Sequence, residues 1–312
     1  MSSTIRGIHH ITGAVTNPQR DYDFYTKVMG LRFIKKTVNQ ENPTMWHFFY
    51  GDKDGNAGTI MTNIILDGTR LPRCTRGRGS IDTLSYSVPK GSLEFWAARL
   101  GENGVETESR PDRFGDSVLF FEDPDELPSE LIACDDPRNP APYGDVGPEN
   151  QIRGFHGATV TTRVPEVSLD FFTQILGFDE VGRDGDRIRL AVSADSPGNY
   201  VDFLDVHEGP WARFGLGSIH HIAFTVDSLE EMELWTRKLS GWGLIVTEAR
   251  DRGWFHSMYF TEPGGINLEL SNMSPGWTVD EEMDDLGRII SLPKHLEPKR
   301  AEIEASLPEM NF

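Results

Sequence analysis

The chain has 312 residues, 38% hydrophobic and 25% charged, an ordinary globular composition with length for about two domains at roughly 100–200 residues each. Thirty Lys and Arg against 49 Asp and Glu leave a net charge of −19. That argues against a nucleic-acid-binding surface, because phosphate contacts need clustered basic residues. No apolar run approaches the ~20 residues that span a bilayer, and Met1–Arg6 lacks the pattern of a secretory signal, so no membrane association is expected. Cys74 and Cys134 form no CxxC motif and suit a reducing compartment, so a cytoplasmic location is expected.

In chain order, the apolar strand Ile8–Val15 leads through a turn into a helical segment that includes Asp23–Leu31, with Gly30 placed to stop it. The basic run Arg70–Arg78 is short and Gly-rich and reads as a loop or a local anion contact. A second strand, Thr83–Val88, is followed by a helix that Gly104 ends, and the Pro-, Asp- and Gly-rich Asp135–Asn150 reads as a linker. Strand Phe155–Thr161 and the segment Asp170–Phe178 then repeat Ile8–Val15 and Asp23–Leu31 at an offset of 147. A second offset, 139, carries Trp96, Leu100, Gly104 and Glu130 onto Trp235, Leu239, Gly243 and Glu269. Strand Ile219–Val226, an amphipathic helix through Leu239, and β-rich stretches at Gly243–Glu248, Phe255–Thr261 and Ile266–Leu270 complete the last unit. The chain is thus expected to be an α+β protein of four βαβββ modules, at about 5–65, 80–135, 152–206 and 217–272, forming two half-barrel pairs. The expected divisions are 1–144 for modules one and two, 145–274 for modules three and four, and 275–312 for a tail with a short charged helix.

Two strands carry Ile-His-His-Ile, at Ile8–Ile11 and Ile219–Ile222, each opening its module. Adjacent residues on a strand point to opposite faces, so one histidine of each pair faces the cavity. Glu269, flanked by Leu268 and Leu270, is costly in a half-buried strand unless paired or metal-bound. Two imidazoles and one carboxylate are the components of a facial triad, which leaves the opposite positions of a metal open to other ligands. The separations, 211 and 48 residues, are those of strands from different modules, and no helical HExxH of a zinc hydrolase is present.

Gly7–Thr12 (GIHHIT), Phe24–Gly30 (FYTKVMG), Lys35–Asn39 (KKTVN), Gly58–Thr62 (GTIMT), Ile219–Phe224 (IHHIAF), Tyr259–Glu269 (YFTEPGGINLE) and the tail Leu292–Leu307 together resemble the vicinal oxygen chelate superfamily over nearly the whole chain. Within it the chain resembles the ring-cleaving dioxygenases of hydroquinones and catechols, the Mhq-type branch. The resemblance implies an Fe(II)-dependent (Mn(II) is the other candidate) extradiol-type enzyme that opens an aromatic ring with O2. It implies His10, His221 and Glu269 as metal ligands, and His220, Tyr259 and Arg252 as catalytic groups. His9, Thr12, Trp254 and His256 are expected against the substrate, and a homo-oligomer is expected.

At the offsets of 147 and about 139, His10 maps onto Gly157 and His221 onto about Thr83, while Glu269 maps onto Glu130. Neither half of the chain alone can assemble the triad, so modules one and four are expected to share the metal cavity. Thr83, Glu130, Gly157 and Asp202 are expected to leave the other cavity without a metal. The chain departs from relatives in carrying Trp254 and His256 after the Asp-Arg turn and Asn63–Gly68 after GTIMT, which bears on ring preference. A metal-dependent isomerase or lyase of the glyoxalase kind and a non-catalytic resistance-type binding protein remain as alternatives.

Overall fold

The computed structural model describes residues 4–206 and 208–312. Module one runs β1 (Ile8–Val15), α1 (Pro18–Asp23, continued as a π-helical turn over Phe24–Val28), β2 (Arg32–Val38), β3 (Trp46–Gly51) and β4 (Ile60–Ile65). Module two is β5 (Ser80–Pro89), α2 (Leu93–Glu102), β6 (Thr107–Arg113), β7 (Asp116–Glu122) and β8 (Pro128–Cys134). Module three is β9 (Gly154–Thr161), α3 (Pro165–Asp170, with a π-helical turn over Phe171–Leu176), β10 (Asp179–Asp184), β11 (Arg187–Ala191) and β12 (Tyr200–Leu204). Module four is β13 (Ser218–Thr225), α4 (Leu229–Gly241), β14 (Arg250–Asp251), β15 (His256–Thr261) and β16 (Asn267–Ser271), after which α5 (Arg300–Ser306) lies in the tail.

Local chemistry starts the helices. Asn17 caps α1 by accepting from the Arg20 amide and Pro18 occupies the first turn, while Ser228 caps α4 through the Glu231 amide. Met232, Trp235 and Leu239 form the buried face of α4.

The strands make two curled eight-stranded sheets. One has the order β14-β15-β16-β13-β1-β4-β3-β2 and so joins modules four and one; the other, β10-β11-β12-β9-β5-β8-β7-β6, joins modules three and two. Antiparallel β1–β13 and β5–β9 pairs close each sheet at its centre. The four-module α+β architecture and its two half-barrel pairs are therefore those read from the repeats.

One sequence expectation changes. Gly243–Glu248 contributes only an isolated bridge, Val246 to Phe260, and the edge strand of module four is instead the two-residue β14. Leu244 and Val246 pack against the core while Ile245 between them is 92% exposed, and the further backbone tie to β15 is the Thr247 amide donating to the Tyr259 carbonyl, so the segment runs along the sheet edge without a continuous ladder. The tail crosses β2, with Lys36 bridging Ile290, and buried Lys35 is neutralised by Asp280 and Glu281. Among the described residues no helix is long and apolar enough to cross a membrane.

Candidate metal centre

Strand register explains how residues so far apart in sequence meet. His10 pairs with Ala223, Ala223 with Glu269 and Glu269 with Tyr259, so these four form one row across β1, β13, β16 and β15. His221, two residues before Ala223 on β13, faces the same side and pairs with Thr12. Ala223 thus presents only a methyl group between His10 and Glu269.

The ligand-type atoms converge. His221 Nε2 lies 2.8 Å and His10 Nε2 3.4 Å from Glu269 Oε2, and the two histidine nitrogens are 3.2 Å apart. All three side chains are buried. Donor atoms bound at right angles about 2.1 Å from one ion stand ~3 Å apart, so the spacing suits three adjacent ligands of a common cation. Glu269 Oε1 accepts from Ser271 at 2.5 Å, whereas Oε2 accepts no aligned hydrogen bond although it is fully buried. Burial alone would raise the pKa of Glu269, but the two histidines hold it well below the usual carboxylate range.

His9 sets the tautomer of His10. His9 Nε2 lies 3.1 Å from the Asn272 carbonyl, which can only accept, so His9 carries its proton there. Burial and the neighbouring His10 push the His9 pKa down to about 3, so the ring is neutral and its Nδ1 is an acceptor. That Nδ1 is 2.8 Å from His10 Nδ1, which must then be the donor, leaving a bare lone pair on His10 Nε2. His220 Nδ1 stands 2.6 Å from His221 Nδ1, the same close approach of ring nitrogens. With His10 Nε2 bare, its lone pair and the buried Glu269 Oε2 face each other at 3.4 Å, an arrangement that a cation between them relieves. The residues present therefore fit a divalent metal.

A cavity of about 350 Å³ opens over this group, lined by His10, Thr12, His220, His221, Arg252, Trp254 and Tyr259. His9 and His256, expected against the substrate, do not line it: a register shift in β1 turns His9 toward Asn272, and His256 Nδ1 faces the Ser274 carbonyl. Arg252 donates to Tyr259 Oη at 3.1 Å and to Ser257 Oγ at 2.9 Å. Burial, then Glu269, raises the Tyr259 pKa, so its hydroxyl is protonated. Sequence reasoning missed His47, Phe49 and Phe255, which also line the cavity. His47 Nε2 meets Thr62 Oγ1 at 2.9 Å, Thr62 meets Thr12 at 3.0 Å, and Thr12 meets His221 Nε2 at 2.9 Å. The signal for His47 was the alternation of Trp46, Phe48 and Tyr50 into the core, which turns His47 and Phe49 to the opposite face.

The other sheet has a different centre. Glu130 lies 2.5 Å from Arg113 and 3.2 Å from Arg110, and Asp202 forms a bidentate pair with Arg189 at 2.8 and 2.9 Å. Gly157 has no room for a side chain, since a Cβ would stand 2.7 Å from the Tyr200 carbonyl oxygen.

The family model of the "Glyoxalase/Bleomycin resistance protein/Dioxygenase superfamily" matches residues 7–131 and again 154–270. The chain belongs to this superfamily. Among superfamily relatives, the chain is 36% identical to the "Putative ring-cleaving dioxygenase MhqO" of Bacillus subtilis, over 98% of this chain and 97% of that protein. It is 31% identical to the "Chlorohydroquinone/hydroquinone 1,2-dioxygenase" of Sphingobium indicum, over 96% of this chain and 95% of that protein. The crystal structure of a "putative dioxygenase" from Bacillus subtilis superposes with a TM-score of 0.93 at 35% identity, covering 99% of both chains.

Proposed function

We propose that this member of the superfamily is a ring-cleaving dioxygenase of the extradiol type that opens a hydroquinone or catechol ring at an Fe(II) ion held by His10, His221 and Glu269. The observation that carries the reading is the convergence of these three side chains at the wall of a cavity lined by aromatic rings. The full-length similarity to proteins named as ring-cleaving dioxygenases supports it. Mn(II) accepts the same nitrogen and oxygen donors, so the choice between the two metals rests on measurement. A ferrous ion would supply the one-electron chemistry that lets O2 react with a closed-shell phenol.

The protein's own groups bind and orient. Phe49, Trp254 and Phe255 provide flat apolar walls for an aromatic ring. His220 has its Nδ1 committed to His221 Nδ1, and burial pushes its pKa down to about 3, so as a neutral ring it offers Nε2–H to a substrate oxygen. The Tyr259 hydroxyl is a second donor, and the Arg252 guanidinium behind it stabilises negative charge on a phenolate. Thr12, tied to Thr62 and His47, is the hydroxyl beside His221. Burial of the whole group excludes bulk water from the reacting oxygen.

The test is O2 uptake by protein reconstituted anaerobically with Fe(II), challenged separately with methylhydroquinone, catechol and buffer. Uptake stoichiometric with an ultraviolet-absorbing ring-fission product is expected. Protein that holds about one iron per chain and consumes no O2 with either substrate overturns the reading and favours a glyoxalase-type isomerase.

A further inference from the structure

The basic run Arg70–Arg78 plays no part in the metal centre, yet it helps to wall a second cavity of about 200 Å³. This cavity shares His220 with the first, and Arg76, Arg163 and Arg213 face it against a single carboxylate on its lining, Asp82. Arg76 is committed elsewhere, with Nη1 2.7 Å from Glu122 and Nη2 donating to the Glu126 carbonyl at 2.6 Å. Arg163 and Arg213 form no ion pair among the described residues. In a chain of net charge −19, two arginines left without carboxylate partners at one cavity are a local reversal of sign.

Arg163 is also held in place. Its guanidinium end runs past Gly79 and Gly265, where a Cβ would stand 2.6 and 3.2 Å from Nε, and it lies 5.6 Å from the ring of Trp211. Two glycines at positive φ leave the slot, and Trp211 closes it. The Ser218 hydroxyl is spent on the Gly215 carbonyl at 2.6 Å, whereas Asn267, whose Oδ1 accepts from Thr261, adds its amide nitrogen to the cavity wall as a donor for a small organic anion.

We infer that this cavity is a carboxylate site, and that its ligand is the open-chain acid produced at the neighbouring metal centre. The inference rests on the dioxygenase reading for the identity of that acid. When both atoms of O2 enter a dihydroxybenzene, one ring carbon–carbon bond breaks and a hydroxyl-bearing carbon becomes a carboxylic acid carbon. No external reductant is consumed. The neutral ring becomes an anion at neutral pH, and Arg163 and Arg213 meet that anion beside His220, which lines both cavities.

The experiment is calorimetric titration of muconate, an open-chain dicarboxylate, into full-length metal-free protein, so that chelation of a metal cannot contribute. Wild-type protein binds muconate, and raising salt weakens binding because both arginines are exposed. The double variant Arg163→Gln/Arg213→Gln, with a melting curve to verify folding, binds about tenfold or more weakly. Absence of muconate binding, or equal binding by the double variant, overturns the carboxylate site. The O2-uptake assay fails independently: arginine-dependent muconate binding without ring cleavage keeps the site and removes its assignment to the reaction product.

Discussion

Glu269 and Glu130 stand at matching places in the two sheets, one paired in register with Ala223 and the other with Ser85. The first faces two histidines and the second two arginines. The same fold thus sets one buried carboxylate among imidazoles, the donor set proposed to hold a cation, and neutralises the other with guanidinium groups of its own. Arg113 lies 139 residues before Arg252, the repeat offset itself, so the residue that supports Tyr259 in one sheet fills the centre of the other.

The two carboxylates therefore respond differently to neutralisation. Glu269→Gln is expected to weaken metal binding by more than the ~10–100-fold typical of losing an outer partner of a ligand. Glu130→Gln is expected to leave metal affinity unchanged and to cost up to about 3 kcal/mol of stability, since buried Arg113 loses its counter-charge. Metal titration and melting curves on both variants check this; equal metal loss in the two would remove the distinction.

Ala223 provides a test that leaves every ligand in place. Leucine at this position would extend between His10 and Glu269. Ala223→Leu is expected to fold at a cost of about 1–3 kcal/mol and to bind no metal. Metal content after reconstitution, compared with the melting temperature, decides it.

His9 does not line the cavity, yet its contact with His10 makes it a test of metal affinity. His9→Phe preserves bulk but removes the acceptor that keeps the His10 proton on Nδ1. Metal affinity is expected to fall by ~10–100-fold with the fold intact. A competition titration against a chelator reads this directly, and unchanged affinity would show that the His10 tautomer is set by something other than His9.

Stability should carry a pH signature from a group remote from the metal. Burial pushes the Asp123 carboxyl up to about 7 from an ordinary value of 3.8, and Asp21 is raised as well. Between about pH 4 and 7 the folded chain then holds more protons than the unfolded one, so this group's contribution falls as pH rises and levels off above about 7. Asparagine keeps an oxygen for the Asp125 and Leu127 amides that Asp123 Oδ1 now serves. Asp123→Asn is expected to be more stable than wild type relative to its own value at pH 4, the gap growing by up to about 1.4 kcal/mol per pH unit. Denaturant titrations at pH 4, 5.5 and 7.5 measure the slope; parallel curves would mean that Asp123 ionises normally.

Much of this was legible in the residues because duplication leaves two records of each module. The offsets that align Glu130 with Glu269 and Gly157 with His10 pointed to modules one and four as partners, and the sheet order places β1 beside β13. His47 was not legible, because one histidine in an alternating aromatic strand has no partner in sequence; its neighbours Thr62 and Thr12 arrive from two other strands. The contact between the His9 and His10 rings was hidden too, since strict alternation turns the two to opposite faces and takes no account of the register shift between Ile8 and His10. Gly243–Glu248 misled for the opposite reason: its alternating apolar pattern reads as strand, and Leu244 and Val246 do pack on the core, but it pairs with β15 at a single bridge rather than along a ladder.

The nested order of the sheets has a consequence for biosynthesis. The sheet of modules two and three joins segments consecutive in the chain, whereas the other must close the N-terminal β1 onto β13, pairing Ile8 with Phe224. At roughly 5–20 residues per second, β1 waits on the order of ten seconds or more on the ribosome before its partner is translated. During that time its exposed apolar edge is a place where a holdase chaperone can act. The cavity over His10, His221 and Glu269 consequently cannot be completed until β13 and β16 have been translated, after every strand of the arginine-filled sheet.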